Sequence, residues 1–286
     1  MRVLQNTWKI ARFDILTAIR TRRALVALLI YLAGALATGG VLVWLETEFG
    51  DKIQMARSAI DAADAMSAFK SDAPKAYEAL GQLTGGDEEI ARHLLHMPLV
   101  LLGFFWTTLT FLPLLITLVS HDIVNSEVNH RSARYVLLRT SRLSLLAGKM
   151  VSHGLLFLAV TVAANVALFV YAWIRLPVFD LLPAAAQLLR FWLLTIPFGF
   201  CYIALAALVS SLVDGAGLSL AVMVGVLIGL GILSGQETIG YLSPSAWKLG
   251  LWSPGLLAVA GHAAMFVLFG AAFLAGAYAR LRGRDL

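Results

Sequence analysis

The sequence predicts an all-α, polytopic membrane bundle with six transmembrane helices. Three observations carry that prediction: an apolar composition, six apolar runs of spanning length, and a charge bias that alternates between the connecting segments. The 286 residues are 59% hydrophobic and 14% charged, and the mean hydropathy is +0.81. Soluble domains carry about 25% charged residues. So few charges cannot cover a soluble surface, and lipid has to be the solvent over much of the chain.

A hydrocarbon core about 30 Å thick takes about 20 helical residues to cross. Apolar runs near 24–45, 97–119, 150–174, 186–210, 216–234 and 255–279 meet that length. Only a short stretch around Ser210, Ser211 and Asp214 divides the fourth from the fifth. A carboxylate is costly in lipid, so Asp214 is expected in a tight turn at the water interface. Pro197 and the glycines Gly225, Gly229 and Gly231 fall inside runs, where they predict bends or close helix packing.

The charges orient the spans. Arg2, Lys9, Arg12, Arg20, Arg22 and Arg23 precede the first, against Asp14 alone. Arg131, Arg134, Arg139, Arg142 and Lys149 lie between the second and third, and Arg280, Arg282 and Arg284 close the chain. Six spans put all three groups on one side, which the positive-inside rule makes cytoplasmic. The expectation is a bacterial-type inner membrane protein with both termini in the cytoplasm. Segment 46–96, on the other side, holds ten carboxylates from Glu46 to Glu89 against Lys52, Arg57, Lys70, Lys75 and Arg92. The net charge of +5 therefore speaks for anionic membrane lipids as partners and not for nucleic acid.

Residues 1–23 precede the transmembrane domain, 24–286. Leu4, Trp8, Ala11, Ile15 and Ile19 recur at helical spacing, with Arg2, Lys9, Arg12, Arg20 and Arg23 on an adjacent face. One reading is an amphipathic interfacial helix packed against the bundle, with Trp8 at headgroup depth and Lys9 and Arg12 towards phosphates. The other is a plain topology signal. No small-residue cleavage site follows a short apolar core, so a cleaved signal peptide is not expected.

Segment 46–96 reads either as a small helical cap or as a solvated connector. Ile53, Ala56, Ile60 and Ala63 keep helical spacing, Pro74 and Gly85-Gly86 punctuate it, and Asp87, Glu88 and Glu89 suit the first turn of another helix. Segment 235–254, with Tyr241, Pro244, Trp247, Trp252 and Pro254, is too apolar for a free loop and too broken for a span. It is expected to form a re-entrant or interfacial helical pair on the outer side, where protein or water satisfies its backbone.

Enzymatic chemistry finds little support. Cys201 is the single cysteine, so neither an intrachain disulfide nor a cysteine metal site can form. His93 and His96 are three apart and could share a metal, but further ligands are not evident, and an interfacial pair is the alternative. His153 and His262 stand isolated near span ends. Neither a zinc-protease His-Glu-x-x-His nor a nucleotide-binding Gly-rich loop is present. The span centres lack charge. They offer Thr107, Thr108, Thr110, Asn165, Tyr171 and Thr195, which either join helices or line a permeation path. Ion-coupled transport usually needs an intramembrane ionisable site.

The most informative stretch is the basic, amphipathic linker over 120–149. It runs Asp122-Ile123-Val124-Asn125-Ser126-Glu127, then Arg131-Ser132-Ala133-Arg134-Tyr135-Val136-Leu137-Leu138-Arg139-Thr140-Ser141-Arg142, then Gly148-Lys149. It resembles the coupling segment of the permease subunits of type-2 ABC exporters. Members often read Asp-x-x-x-x-Glu, Gly-Thr, Leu-Leu, Pro-x-Ser-Arg and Gly-Lys here. Asp122, Glu127, Leu137-Leu138, Ser141-Arg142 and Gly148-Lys149 fit; Arg131-Ser132 replaces Gly-Thr, the proline is absent, and the segment before Ser141 is one residue short.

The resemblance implies a permease that forms the pathway with a second copy or a relative, above two separate ABC ATPase subunits. ATP and Mg would bind in those partners, with no cofactor in this chain. Asp122, Glu127, Arg131, Arg134, Arg142 and Lys149 would couple to the ATPases, and the N-terminal helix would complete their docking groove. Tyr241, Pro244, Trp247 and Trp252 would form the outer gate, and Thr107, Thr110 and Asn165 could line the path. The competing readings are a secondary transporter, a membrane-embedded enzyme, or a non-transporting anchor or mechanotransmitter of an ATPase complex.

Overall fold

A computed structural model describes residues 2–60, 90, 99–126, 140–176, 181–236 and 238–283. Among the described residues the chain is helical, with no strand. Its α-helices are α1 (Arg2–Arg20), α2 (Arg23–Ile60), α3 (Leu99–Ser120), α4 (Arg142–Arg175), α5 (Leu181–Leu212), α6 (Ala216–Ser234) and α7 (Leu256–Arg282).

The apolar runs dictate the spans. Five helices are long and apolar enough to cross a membrane: α2 through Leu25–Glu48, α4, α5, α6 and α7. α3 has 22 residues, about 33 Å at 1.5 Å per residue, and holds no charged side chain. With α3, the helices follow the six-run pattern of the sequence. α4 starts earlier than its apolar run because Ser141 caps it: the Ser141 hydroxyl accepts from the Ser144 backbone N–H at 3.1 Å. α2 runs on to Ile60, so the helical spacing of Ile53, Ala56 and Ile60 belongs to its extension. Ala63, Pro74, Gly85, Gly86, Asp87, Glu88, Glu89, His93 and His96 lie outside the described residues.

α5 is the central helix. Two thirds of its most apolar window is buried (67%), against 11% for α6 and 17% for α7, which lie at the outside of the bundle. Lipid removes most of the hydrophobic drive between helices, so close van der Waals packing has to hold them. α5 meets this with Ala204, Ala206 and Ala207, all fully buried. α7 meets it with Gly270, where a Cβ would run into the Phe200 ring. Phe198 and Phe266 seal the same contact edge to face at 5.2 Å.

Residues 213–215 turn α5 into α6. Asp214 lies in this turn, as its charge requires, and Gly215 supplies a φ of 105° that other residues rarely adopt. Segment 235–254 differs in detail from the expected helical pair. It forms three short 3-10 turns, Gly240–Leu242, Pro244–Trp247 and Leu249–Trp252. Pro244, Pro254 and the glycines Gly235, Gly240, Gly250 and Gly255 interrupt any longer helix. The segment packs against α6 and α7, with Pro244, Leu251 and Trp252 buried.

The candidate coupling site and its helical frame

The site lies at the bundle end that carries the termini, where α1, the turn after α3 and the start of α4 meet. α1 reaches this place through an elbow at Thr21-Arg22, whose Arg22 adopts a left-handed φ of 59°. The helix then lies across α4. Its buried stripe is not the one that the apolar spacing predicts: Ala11 is fully buried and Ile15 half-buried, but Leu4, Trp8 and Ile19 are exposed. The face towards the bundle instead includes Thr7, Ile10, Ala11, Asp14 and Ala18. The reason lies on α4. Gly148 leaves room for Ile10, since a Cβ there would stand 2.7 Å from the Ile10 side chain and 3.0 Å from the Thr7 carbonyl oxygen.

One turn further along α1 from Ile10, Asp14 Oδ1 accepts from the Lys149 ammonium at 3.1 Å, with both side chains largely out of solvent. Ser152 Oγ donates to Asp14 Oδ2 at 3.3 Å. His153, expected to stand alone, joins this group: its Nδ1 lies 3.0 Å from the Lys149 carbonyl oxygen and 3.3 Å from Ser152 Oγ. Lys149 is therefore a buried bridge between α1 and α4. Lys9 and Arg12 are exposed on the outer side of α1.

The turn after α3 is fixed against α5 and α6. Ser210 Oγ accepts from the backbone N–H groups of Val124 and Asn125 at 3.1 and 3.0 Å. Asn125 Nδ2 donates to the Val213 carbonyl at 2.9 Å, and Ser219 donates to the His121 carbonyl at 2.5 Å. Asp122 is held here and is buried. Glu127, Arg131 and Arg134 lie outside the described residues, as do Leu137 and Leu138. Beyond them, Arg142 at the head of α4 donates to the carbonyl of Arg282, near the end of α7, at 2.5 Å.

A cavity of about 250 Å³ opens between these elements, lined by Asp14, Thr17 and Thr21 of α1, by Asp122 and Ser126, and by Lys149, Ser152 and His153 of α4. Sequence reasoning missed Asp14, Ser152, Ser210 and Ser219. An acidic residue in an otherwise basic segment was the available signal for Asp14. The serines carried none.

At the opposite end, Tyr241 is exposed and Pro244 is buried. Trp247 is half-buried and donates from Nε1 to the Tyr241 carbonyl at 2.9 Å. Trp252 packs edge-on to Phe105 at 5.1 Å. Arg190 of α5 ties the segment down by donating to the Ser253 carbonyl at 2.6 Å. His262 packs on Trp247 at 5.6 Å, against Gly250. Burial pushes the Lys248 ammonium below its ordinary pKa.

The polar residues of the spans are occupied or enclosed. Thr107 donates to the Gly103 carbonyl at 2.7 Å, and Thr108 pairs with the Tyr31 hydroxyl at 2.5 Å. Asn165 is buried with neither amide atom hydrogen-bonded, and Thr110 is half-buried. Thr107, Thr110 and Asn165 do not line the 250 Å³ cavity.

No curated protein matches the chain at a significant level. The model of one family, described as ABC-2 family transporter protein, matches residues 8–246, from the N-terminal helix through all but the last of the predicted spans. The chain therefore belongs to the ABC-2 family of transporter proteins, as a multi-pass membrane permease subunit of an ABC transporter.

Proposed function

We propose that the chain is the permease of an ATP-driven exporter, working as a dimer with a second copy or a related permease. Two separate ATPase subunits dock beneath the terminus-bearing end, bind ATP and Mg, and push on segment 120–149. The chain itself is not catalytic. Glu127 and the arginines Arg131 and Arg134 make the ATPase contact. The orientation follows the positive-inside rule, with the termini in the cytoplasm of a bacterial-type inner membrane. The segment containing Tyr241, Pro244, Trp247 and Trp252 gates the opposite side.

The observation that carries this reading is the framing of segment 120–149. Ser210 and Ser219 clamp its start, at His121, Val124 and Asn125, to α5 and α6. Lys149, at its end, is locked to α1. A push on the residues between these clamps reaches α1, α4, α5 and α6 together. Such a load can shift a population between two packed arrangements of the bundle.

Purification from the native membrane in mild detergent tests the assignment, and a stoichiometric ATPase bearing a nucleotide-binding Gly-rich loop is the expected companion. Glu127→Ala is expected to insert normally and to lose coupling between ATP hydrolysis and transport. A chain that emerges without an ATPase under several mild conditions, or a fully coupled variant, overturns the reading.

A further inference from the structure

The exposed surface of α1 carries a charge pattern that the fold itself completes. Lys9, Arg12, Arg20 and the elbow residue Arg22 are exposed. Among the described residues, none of their side chains takes part in a hydrogen bond or an ion pair. Asp14 is the one acidic residue of the helix, and it is turned inward onto Lys149. Every other charged side chain described from α1 to its elbow is therefore exposed and basic.

The basic residues share a sector of the helix. At about 100° per residue, Lys9, Arg12 and Arg20 fall within roughly 80° of arc. Leu4, Trp8 and Ile19 fill the neighbouring arc, and each is more than half exposed. The position of the helix fixes the depth of this surface. The apolar span of α2 starts at Leu25, directly after the elbow at Arg22. α1 therefore crosses α4 at the depth where the chain enters hydrocarbon. A cationic sector beside an apolar one seats a helix at such a boundary, with the apolar side chains among acyl chains and the basic groups at the phosphates.

We propose that the exposed face of α1 docks on anionic phospholipids of the leaflet at this end, with Lys9, Arg12 and Arg20 as the phosphate contacts. Charge complementarity carries the choice of partner, since attraction to an anionic leaflet grows with each Lys or Arg held near its surface. The fold strengthens the match. Detaching α1 from α4 would return the Asp14 carboxylate to the surface of the same helix. The packed arrangement meets the leaflet with basic groups alone.

The test uses the full-length protein in lipid nanodiscs, without an ATPase, and reads the hydrogen exchange of residues 2–20. One kind of disc is phosphatidylcholine, and the other is phosphatidylcholine mixed with phosphatidylglycerol. The α1 amides are expected to exchange roughly fivefold more slowly in the mixed discs, the factor that one basic residue contributes near an anionic surface. The amides of α5 are expected to be the same in both. Salt at about 1 M, where the Debye length falls to about 3 Å, is expected to erase the difference. Lys9→Gln, Arg12→Gln and Arg20→Gln, made together at these exposed positions, are expected to erase it at low salt. Should that triple variant fail to insert, Arg12→Gln alone repeats the test, with a partial loss expected.

Equal α1 exchange in the two kinds of disc overturns the proposal and leaves this face to a protein partner such as an ATPase subunit. Slowing that survives both high salt and the substitutions also overturns it, because the lipid contact then lies elsewhere. Because no ATPase and no cargo enter the experiment, its failure leaves the transport reading untouched.

Discussion

Asp14 and Lys149 stand 135 residues apart in the chain and 3.1 Å apart in the fold, and they join α1 to α4. Both side chains are nearly buried, at 13% and 9% exposure. Removing one partner takes away a buried countercharge, which costs about 3–5 kcal/mol when the pair is fully enclosed. Asp14→Asn and Lys149→Met are each expected to destabilise towards the lower end of that range. The double variant is expected to recover part of the loss, since the pair is then removed as a unit. Chemical unfolding in detergent, read as a double-mutant cycle, checks this; strictly additive losses would rule out the pairing as a stabilising link.

Gly148 precedes that lysine, and its role is room. A Cβ at this position meets the Ile10 side chain at 2.7 Å and the Thr7 carbonyl oxygen at 3.0 Å. The side chain can yield in part; the backbone oxygen has to move with its helix. Gly148→Ala is expected to cost about 1–3 kcal/mol, in the range of overpacking, and Gly148→Val more. The specific expectation is local: Gly148→Val loosens α1 and leaves the transmembrane helices in place. Hydrogen exchange of residues 2–20 should then rise while that of α5 does not. Unchanged protection of α1 would show that the close approach is not needed.

Ser210 accepts two backbone N–H bonds, from Val124 and Asn125, with all three residues buried. Ser210→Ala leaves two donors without a partner, and each buried unsatisfied group costs about 1–3 kcal/mol. Ser210→Thr keeps the oxygen and should restore most of the loss. The amide exchange of Val124 and Asn125 is the direct readout, with faster exchange expected in Ser210→Ala than in Ser210→Thr. Equal rates in the two variants would remove the hydroxyl from this role.

Six runs of spanning length were legible because the membrane fixes both the composition and the length of a span. The existence of α1 was legible from its amphipathic spacing, but its buried stripe was not. Apolar periodicity marks a face that avoids water, and in a membrane both lipid and protein satisfy it. Trp8 and Leu4 turned to the outside, while Asp14 turned inward because Lys149 waits there. That partner is invisible locally, and so is the hydroxyl of Ser210 for the turn after α3. The segment around Trp247 was legible as broken helix, since Pro and Gly mark the breaks. The choice of 3-10 turns over an α-helical pair depends on packing against α6 and α7, which no local signal carries.

Arg22 is the described non-glycine residue with a left-handed backbone, at a φ of 59°. It lies between the end of α1 at Arg20 and the start of α2 at Arg23, so it sets the angle between the two helices. An L residue pays roughly 1–2 kcal/mol for this conformation, and glycine pays almost none. Arg22→Gly is therefore expected to keep the elbow and to match or slightly exceed the parent in stability. Arg22→Val is expected to lose about 1–2 kcal/mol more, because a β-branched side chain is worst suited to this region. Both variants remove the same positive charge, so the comparison isolates the backbone from any effect on topology. Thermal unfolding of the two in the same detergent is the measurement. A Val variant as stable as the Gly variant would mean that the elbow does not require the left-handed conformation.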